Sequence, residues 1–449
     1  MILAAGQGTR MRSDKPKVLH ELAGKTLLEH VYTAASRLKH REMLVVYGYG
    51  GDAVRERHAR LPVSWVEQKD RFGTGHAVLQ AMPHIPEDDL VLIINADTPL
   101  ITAATLKKLV ASAMNSGFVL LTSVVEDPSG YGRIKRDGEG KITHIVEDRD
   151  TSADEKSITE INTGILAVTA GLLRQWLEAL DNRNSQEEYY LTDIVALAAR
   201  QDVAIRSVSP ESNIEIRGIN DRVQLAEMER YYQLVQAHQL MRRGVTIMDP
   251  GRFDLRGELE VGGDIVIDIN VLFEGRIKIG KKVSIGPNCC IRDTIIGDEV
   301  TILPNCVIDN AIIGNGCRIG PFSRIRPDTV LDENVRVGNF VEIKKSGIGP
   351  GTKINHLSYV GDSDVGREVN IGAGTVTCNY DGANKHKTII EDNVFIGSDT
   401  QLIAPVRVGA GATIAAGSVV TRDVEEGVLA ISRTDQKSVR GWKRPKKKP

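Results

Sequence analysis

The chain has 449 residues, 41% of them apolar and 26% charged, with a formal net charge of −2. That length exceeds what one hydrophobic core supports, so two or three domains are expected, and the composition excludes a disordered chain. The charge balance offers no basic field for nucleic acid, and neither a signal peptide nor an apolar run of roughly 20 residues is present, so a cytoplasmic protein without membrane insertion is expected.

The chain opens Met1-Ile2-Leu3-Ala4-Ala5-Gly6-Gln7-Gly8-Thr9-Arg10-Met11, which predicts a strand, a glycine loop and a charged entry to Lys15-Pro16-Lys17. Backbone N–H groups of such a loop converge on phosphate oxygens, and Arg10 and Lys17 supply positive charge. The loop lacks the Gly-Lys-Ser/Thr of a P-loop, and Met11 stands where a dinucleotide fingerprint has its third glycine. The first strand has about five residues before Gly6, against a usual ~5–6. Leu44-Val45-Val46-Tyr47 and Leu90-Val91-Leu92-Ile93-Ile94 are continuous apolar runs, the mark of strands buried on both faces. Helical stretches between them give a βαβ rhythm and predict a mostly parallel sheet. The second run leads into Asn95-Ala96-Asp97-Thr98-Pro99. A carboxylate at the carboxyl end of a central parallel strand makes Asp97 a candidate Mg²⁺ ligand. Asp221 to Arg243 predicts a helix with apolar Leu225, Met228, Tyr232 and Val235, stopped by Gly244, and such a helix is expected to serve as a semi-rigid strut.

From Val261 every sixth residue is apolar: Val261, Ile267, Phe273, Ile279, Ile285, Ile291. The pattern returns at Ile319, Ile325, Leu331, Val337 and Ile343, and again at Ile396, Leu402, Val408, Ile414 and Val420. Period six is the spacing of a parallel β-helix, in which each short strand donates one aliphatic inward and a tight turn follows. Glycine comes directly after many of these residues, as at Gly262, Gly280, Gly286, Gly320, Gly338, Gly397 and Gly409, and it suits turns by tolerating positive φ and close backbone approach. The stretch Asn379–Lys387 breaks the pattern and is expected to be a binding loop. After residue 250 the only histidines are His356 and His386. The cysteines Cys289, Cys290, Cys306, Cys317 and Cys378 show no C-x-x-C spacing and read as reduced thiols. Lys446-Lys447-Lys448 reads as a solvated tail.

The repeat resembles the hexapeptide-repeat acyltransferases, which implies a left-handed β-helix and a homotrimer. In the front half, Gly6-x-Gly8-Thr9-Arg10 with Lys17, Gly73-Thr74-Gly75-His76-Ala77, Asp97, Tyr131-Gly132-Arg133, Asn162-Thr163-Gly164 and Gly218-Ile219-Asn220 occur in one order. That order resembles the sugar-nucleotide pyrophosphorylases, most closely the uridylyltransferase half of the bacterial bifunctional enzymes of UDP-N-acetylglucosamine synthesis, which carry the same solenoid. The resemblance implies an α/β chain with a Rossmann-like nucleotidyltransferase domain at 1–220, a linker helix at 221–244 and a β-helix acetyltransferase domain at 245–449. It further implies acetylation of glucosamine 1-phosphate by acetyl-CoA, then transfer of UMP from UTP to N-acetylglucosamine 1-phosphate with release of pyrophosphate and Mg²⁺ as cofactor. The product would be a precursor of peptidoglycan and lipopolysaccharide.

Residue by residue, the resemblance assigns Asp97 and Asn220 to the metal, and Arg10 and Lys17 to the phosphates as catalytic cations. Leu3, Ala4, Ala5, Gly6, Asn95 and Ala96 fall to the nucleotide site, with Gln68, Gly73 and Thr74 at uracil. Gly132, Glu147 and Asn162 fall to the amino sugar. In the solenoid His356 is implied as the general base and the Ala373 N–H as the oxyanion donor. Arg326 and Lys344 are implied at the sugar phosphate, Glu342, Tyr359, Asn370 and Asn379 at the amino-sugar pocket. Asn379 also borders acetyl-CoA, together with Tyr380, Ser398, Ala416 and Arg433. Asn95-Ala96 replaces the Tyr-Gly often found before the aspartate, and the added Ala96 methyl is expected to change ligand affinity slightly. Three other readings compete, one of them a non-catalytic scaffold that binds sugar nucleotides without turning them over. A purely regulatory solenoid would have no use for His356, and a solenoid zinc hydratase would need three imidazoles where two histidines exist.

Overall fold

The computed structural model describes residues 1–445, and the lysine run at 446–448 lies outside them. The chain divides into two compact units, Met1–Tyr232 and the residues from Gln233 onward.

In the first unit a seven-strand path runs Arg206–Val208, Phe118–Val124, Glu160–Thr169, Leu90–Asn95, Ile2–Ala4, Leu44–Tyr47, Ser64–Glu67. Ile2–Ala4 pairs in parallel with both Leu44–Tyr47 and Leu90–Asn95, and the one strand that runs against its neighbours is Glu160–Thr169. The expected mostly parallel sheet is therefore present. Both apolar runs are covered by helices, as continuous hydrophobic strands require: Ile2, Val45 and Ile94 share a core with Leu28 and Val31 of the Leu27–Ala35 helix and Leu106 and Leu109 of the Ala103–Ser116 helix. A hairpin, Arg133–Arg136 with Ile142–Val146, branches off Glu160–Thr169. The strands Ile2–Ala4 and Leu90–Asn95 end side by side. Their carboxyl ends release the glycine loop and the Asn95-Ala96-Asp97 segment at one place, where open α/β sheets bind ligands.

The expected helix is Arg222–Arg242, and the chain turns at Gly244 with φ +94. The boundary between the units falls inside it. Met228 packs with Leu22, Leu27 and Ile219 of the first unit, whereas Ala237 and Leu240 join the core of the second.

The second unit is a solenoid of parallel strands. Each coil gives one strand to an 11-stranded sheet and two to a 17-stranded sheet. The inward aliphatics stack in register from coil to coil: Ile267 on Ile285, Ile285 on Ile302, Ile302 on Ile319, Ile319 on Val337. The period of six breaks at one corner for a steric reason. There Ile291 is followed inward by Ile296, and Ile343 by Ile348, one residue early. The turn is shorter because its left-handed residue (Asp293 φ 43, Lys345 φ 46) is the second after the aliphatic rather than the third, as Lys282 and Asp328 are in the full six-residue turns. Counting in sixes therefore loses phase at these turns, whereas Ile325 to Leu331 keeps it.

Half of the physical reason expected for the glycines is corrected by the structure. Many of the left-handed turn positions are Asn or Asp, such as Asn270, Asn288 and Asn305, residues that tolerate this region. Apart from Gly320, whose φ is +100, the glycines directly after the aliphatics serve close approach instead: a Cβ at Gly397 would stand 2.4 Å from the backbone nitrogen of Ala416 on the next coil. The Asn379–Lys387 loop interrupts the stack as expected. Ile354 pairs with Ile371, but Ile371 next meets Ile396, and the extra chain lies between Val376–Cys378 and Thr388–Ile390. All five cysteines are free thiols, and no group of three His, Cys, Asp or Glu able to hold a metal exists among the described residues. Among those residues no helix is long and apolar enough to cross a membrane.

Candidate active sites

In the first unit a cleft of about 540 Å³ is lined by Leu3 through Gln7, Lys17, Gln68, Gly73, Thr74, Asn95 and Asp97. Gly8 shapes it. Its φ of +65 is left-handed, and a Cβ there would come within 2.6 Å of Lys17 Cβ, so glycine lets the Lys17 stem pack under the loop. Gly6 has no heavy atom within 4 Å of the space a Cβ would fill, which leaves its backbone open to a ligand. The Lys17 ammonium donates to Asp97 Oδ2 at 2.5 Å and Asn220 Oδ1 at 2.8 Å, joining three residues far apart in sequence. Asn220 is held in turn by its own N–H donating to Gln224 Oε1 at 2.7 Å. Gln68 is buried; its amide nitrogen donates to Gly73 O at 3.0 Å and lies 3.1 Å from His76 Nδ1, so its oxygen is the atom left to accept from a ligand. Thr74 Oγ1 accepts from Leu191 N at 3.0 Å.

A second cavity of about 940 Å³ shares Leu3, Thr74, Asn95 and Asp97 with the first and is lined further by Gly132, Glu147, Asn162 and Asn220. A Cβ on Gly132 would lie 3.6 Å from Glu147 Oε2 and 3.7 Å from Asn162 Cβ, so the three residues expected at the amino sugar do converge. Arg10 is exposed, lines this cavity rather than the first, and forms no ion pair among the described residues. Ala96 corrects an expectation. It is 1% exposed with its methyl among Ile2, Ala4 and Ile94, and it lines neither cavity, so the extra carbon fills core instead of meeting ligand.

Burial raises the Glu147 carboxyl, which accepts from Thr192 Oγ1 at 2.8 Å. Asp193 beside it is pushed up to about 6, by burial first and then by Glu147, Asp181 and Asp150. A carboxyl whose folded pKa is raised favours the folded state while protonated and loses that contribution as pH climbs from its ordinary value through about 6. Asp193→Asn should therefore stabilise the protein at pH 7–8 by about 1 kcal/mol after allowance for solvent screening, with the difference vanishing near pH 4. Denaturant unfolding at both pH values measures it, and a gain independent of pH would contradict a cost that arises from burying the ionised carboxylate.

In the solenoid one corner of successive coils carries a single file: Asn339, His356, Ala373, Ser398 and Ala416, each two residues beyond an inward aliphatic of the 11-stranded sheet. His356 Nδ1 lies 3.0 Å from Asn339 Oδ1. An amide oxygen can only accept, so it selects the tautomer with hydrogen on Nδ1 and leaves Nε2 able to take a proton. Arg433 Nη1 donates to Ala416 O at 2.5 Å. Around that corner, on the next strand, a second group forms. Arg326 pairs with Glu342 at 2.8 Å, Lys344 with Asp362 at 3.6 Å, and Asn379 Nδ2 donates to Asp362 Oδ2 at 2.5 Å and lies 3.4 Å from Tyr359 Oη. Asn370 stands apart from this group, on the face before the corner, paired with Lys353.

The Asn379–Lys387 loop is a small hairpin. Tyr380 bridges Lys385, and Asp381 accepts from Ala383 N at 2.8 Å and Asn384 N at 2.6 Å, with His386 Nε2 at 2.6 Å. It brings Lys385 against Lys344, lowering the Lys385 pKa through the neighbouring cation. Two ammonium groups side by side are costly unless an anion joins them. Asn339, Asp362, Lys385 and Thr192 escape a reading of the sequence. Asn339 carries a usable signal, because it sits one coil before His356 at the same corner position, and Lys385 lies in the stretch expected to be a binding loop; the other two carry none.

A mostly parallel α/β unit whose strand ends hold a cleft beside a glycine loop, followed by a hexapeptide solenoid with a histidine at one corner, defines a two-part transferase. Comparison with known families agrees: residues 1–139 match the MobA-like NTP transferase domain, 255–339 the GMPPB C-terminal domain, and 387–422 the bacterial transferase hexapeptide of six repeats. The bifunctional protein GlmU of Methylococcus capsulatus is 56% identical over 448 residues, covering all of this chain and 97% of that protein. That of Aromatoleum aromaticum is 52% identical over 448 residues, covering all of this chain and 98% of that one. Among solved structures, a UDP-glucose pyrophosphorylase complexed with UDP-glucose aligns over 51% of this chain and 96% of its own, at 19% identity and a TM-score of 0.42. The chain belongs to the bifunctional GlmU family, and it is an enzyme of UDP-N-acetylglucosamine synthesis with uridylyltransferase and glucosamine-1-phosphate acetyltransferase activities.

Proposed function

We propose that the solenoid acetylates glucosamine 1-phosphate with acetyl-CoA through His356, and that the first unit then transfers UMP from UTP to N-acetylglucosamine 1-phosphate with Mg²⁺ held by Asp97 and Asn220. The limits 1–220, 221–244 and 245–449 are the functional segments of this reading, and its compartment is the cytoplasm.

The uridylyl half rests on the convergence of Asp97 and Asn220 where the two cavities meet. Their oxygens are hard donors, a set that suits magnesium, and both already point at one cation, the Lys17 ammonium. When bound, the metal neutralises phosphate charge. The chain's own groups do the rest. The Gly6 backbone and Lys17 take phosphate oxygens, Arg10 supplies a further cation, the Gln68 oxygen accepts from the uracil N–H, and Gly132, Glu147 and Asn162 orient the sugar. A phosphate oxygen of the acceptor attacks the α-phosphorus, that bond forms as the bond to pyrophosphate breaks, and no base is needed because the nucleophile is already ionised.

The acetyl half rests on the His356–Asn339 pair. His356 Nε2 removes a proton from the glucosamine amine as nitrogen attacks the thioester carbon; the Ala373 N–H steadies the oxyanion; the carbon–sulfur bond breaks and CoA leaves as the thiol with that proton. Arg326 and Lys344, joined by Lys385, hold the sugar phosphate, with Glu342, Tyr359, Asn370 and Asn379 around the amino sugar. Tyr380, Ser398, Ala416 and Arg433 border acetyl-CoA. Assembly into a homotrimer is supported by the same corner. Phe322, Phe340 and Leu357 are 50%, 56% and 61% exposed, and all sit in left-handed conformations that bulky residues avoid. Exposed bulky side chains held in that conformation suit cover by a partner chain.

The purified protein should convert glucosamine 1-phosphate, acetyl-CoA, UTP and Mg²⁺ to UDP-N-acetylglucosamine, CoA and pyrophosphate. Without acetyl-CoA it should stall until N-acetylglucosamine 1-phosphate is added. Equal pyrophosphate release from unacetylated glucosamine 1-phosphate would overturn the order, and a monomeric mass by light scattering would overturn the trimer.

A further inference from the structure

The Lys17 ammonium sits where a divalent cation bound by Asp97 and Asn220 would sit, 2.5 Å from one oxygen and 2.8 Å from the other. Its position is built rather than incidental. Lys17 opens a short helical turn whose Lys17, Val18 and Leu19 are all buried, its side chain is 11% exposed, and Gly8 is left-handed where it passes over the stem. Two cations cannot share these oxygens. At such separations the repulsion between an ammonium and a divalent ion exceeds what either gains from a second ligand.

We propose that Lys17 is a placeholder that makes metal binding depend on nucleotide binding; this rests on the reading of Asp97 and Asn220 as metal ligands. In the free enzyme the ammonium pairs with Asp97 and keeps a divalent cation off the two oxygens. The triphosphate of the incoming nucleotide draws the ammonium to its own oxygens, and Asp97 and Asn220 are released to the metal.

The geometry makes the exchange short. Lys17, Asp97 and the Gly6-Gln7 backbone line one cleft, so the ammonium moves by rotation about its flexible stem. The charges also balance at each stage. Before the exchange Asp97 is paired with Lys17, and after it Asp97 is paired with the metal and Lys17 with phosphate, so the partly buried carboxylate is never left alone, which would be costly. The coupling is reciprocal, so a metal already on the two oxygens would turn Lys17 outward and favour the triphosphate.

Mn²⁺ alone is the probe, with the free ion followed by electron paramagnetic resonance and no nucleotide present. Free wild-type enzyme should bind it weakly, while Lys17→Met and Lys17→Gln should each bind it on the order of tenfold more tightly or better. Thermal melts establish that each variant is folded, and the wild-type measurement requires no variant. Mn²⁺ binding by the free wild-type enzyme as tight as by both variants overturns the proposal. Adding Asp97→Asn to Lys17→Met separates the two readings: loss of the gain keeps Asp97 as the ligand, whereas a gain that survives overturns the ligand assignment and the placeholder with it.

Discussion

His356→Ala should lower acetyl transfer by about 10²–10⁴-fold, the usual worth of a positioned general base, and leave uridylyl transfer within experimental error of wild type. The amine of glucosamine 1-phosphate must shed a proton as it attacks, and His356 is one of only two histidines beyond residue 250. The other, His386, is engaged with Asp381 at 2.6 Å. Asn339 at 3.0 Å holds the His356 ring in the tautomer that a base requires, so Asn339→Ala should show the same selectivity with a smaller loss. His356 is exposed at a corner and its removal opens no cavity in the core, so the melting temperature should barely move. Because the histidine lies in a compact unit separate from the uridylyl site, loss of both activities would indicate misfolding, and full retention of acetylation would remove His356 from the mechanism.

Asp97→Ala should do the reverse. Losing the one charged metal ligand forfeits several kcal/mol of charge stabilisation, so pyrophosphate release should fall by roughly a thousandfold while acetylation persists. The substitution also strands the Lys17 ammonium, whose pairing with Asp97 is the closest contact in the cleft, so a lower melting temperature is expected as well. Asp97→Asn keeps the shape without the charge. If it retains wild-type pyrophosphate release, the metal is held elsewhere.

Much of this molecule is legible along the chain, and the misreadings share one physical origin. The apolar runs at 44–47 and 90–94 are strands because unbroken hydrophobicity is stable only when both faces are covered. The six-residue period is a solenoid because it is too long for a helix or an alternating strand. Reading it in sixes fails after Ile291, where the left-handed residue comes one position early and the turn is one residue shorter, and a periodicity count does not see one missing residue. Turn chemistry alone assigns the glycines partly to φ, yet most of them answer to the next coil's backbone, a neighbour a whole turn of the solenoid away. Adjacency to Asp97 assigns Ala96 to the ligand, but in the turn that follows Asn95 its methyl goes to the core among Ile2, Ala4 and Ile94.

The sequence alone therefore determined the two architectures, the place where the solenoid opens into a loop, and the residue types available at each site. These follow from local periodicity and local turn chemistry, which operate over a few residues. Only the tertiary structure decided the partners: Lys17 meets Asp97 and Asn220 across separations of 80 and 203 residues, and His356 meets Asn339 one coil away. Those contacts exist because strand ends converge at one edge of a parallel sheet and because coils stack in register; the first alignment leaves no mark on the residues next to it in the chain, whereas the second is foreshadowed by the six-residue period.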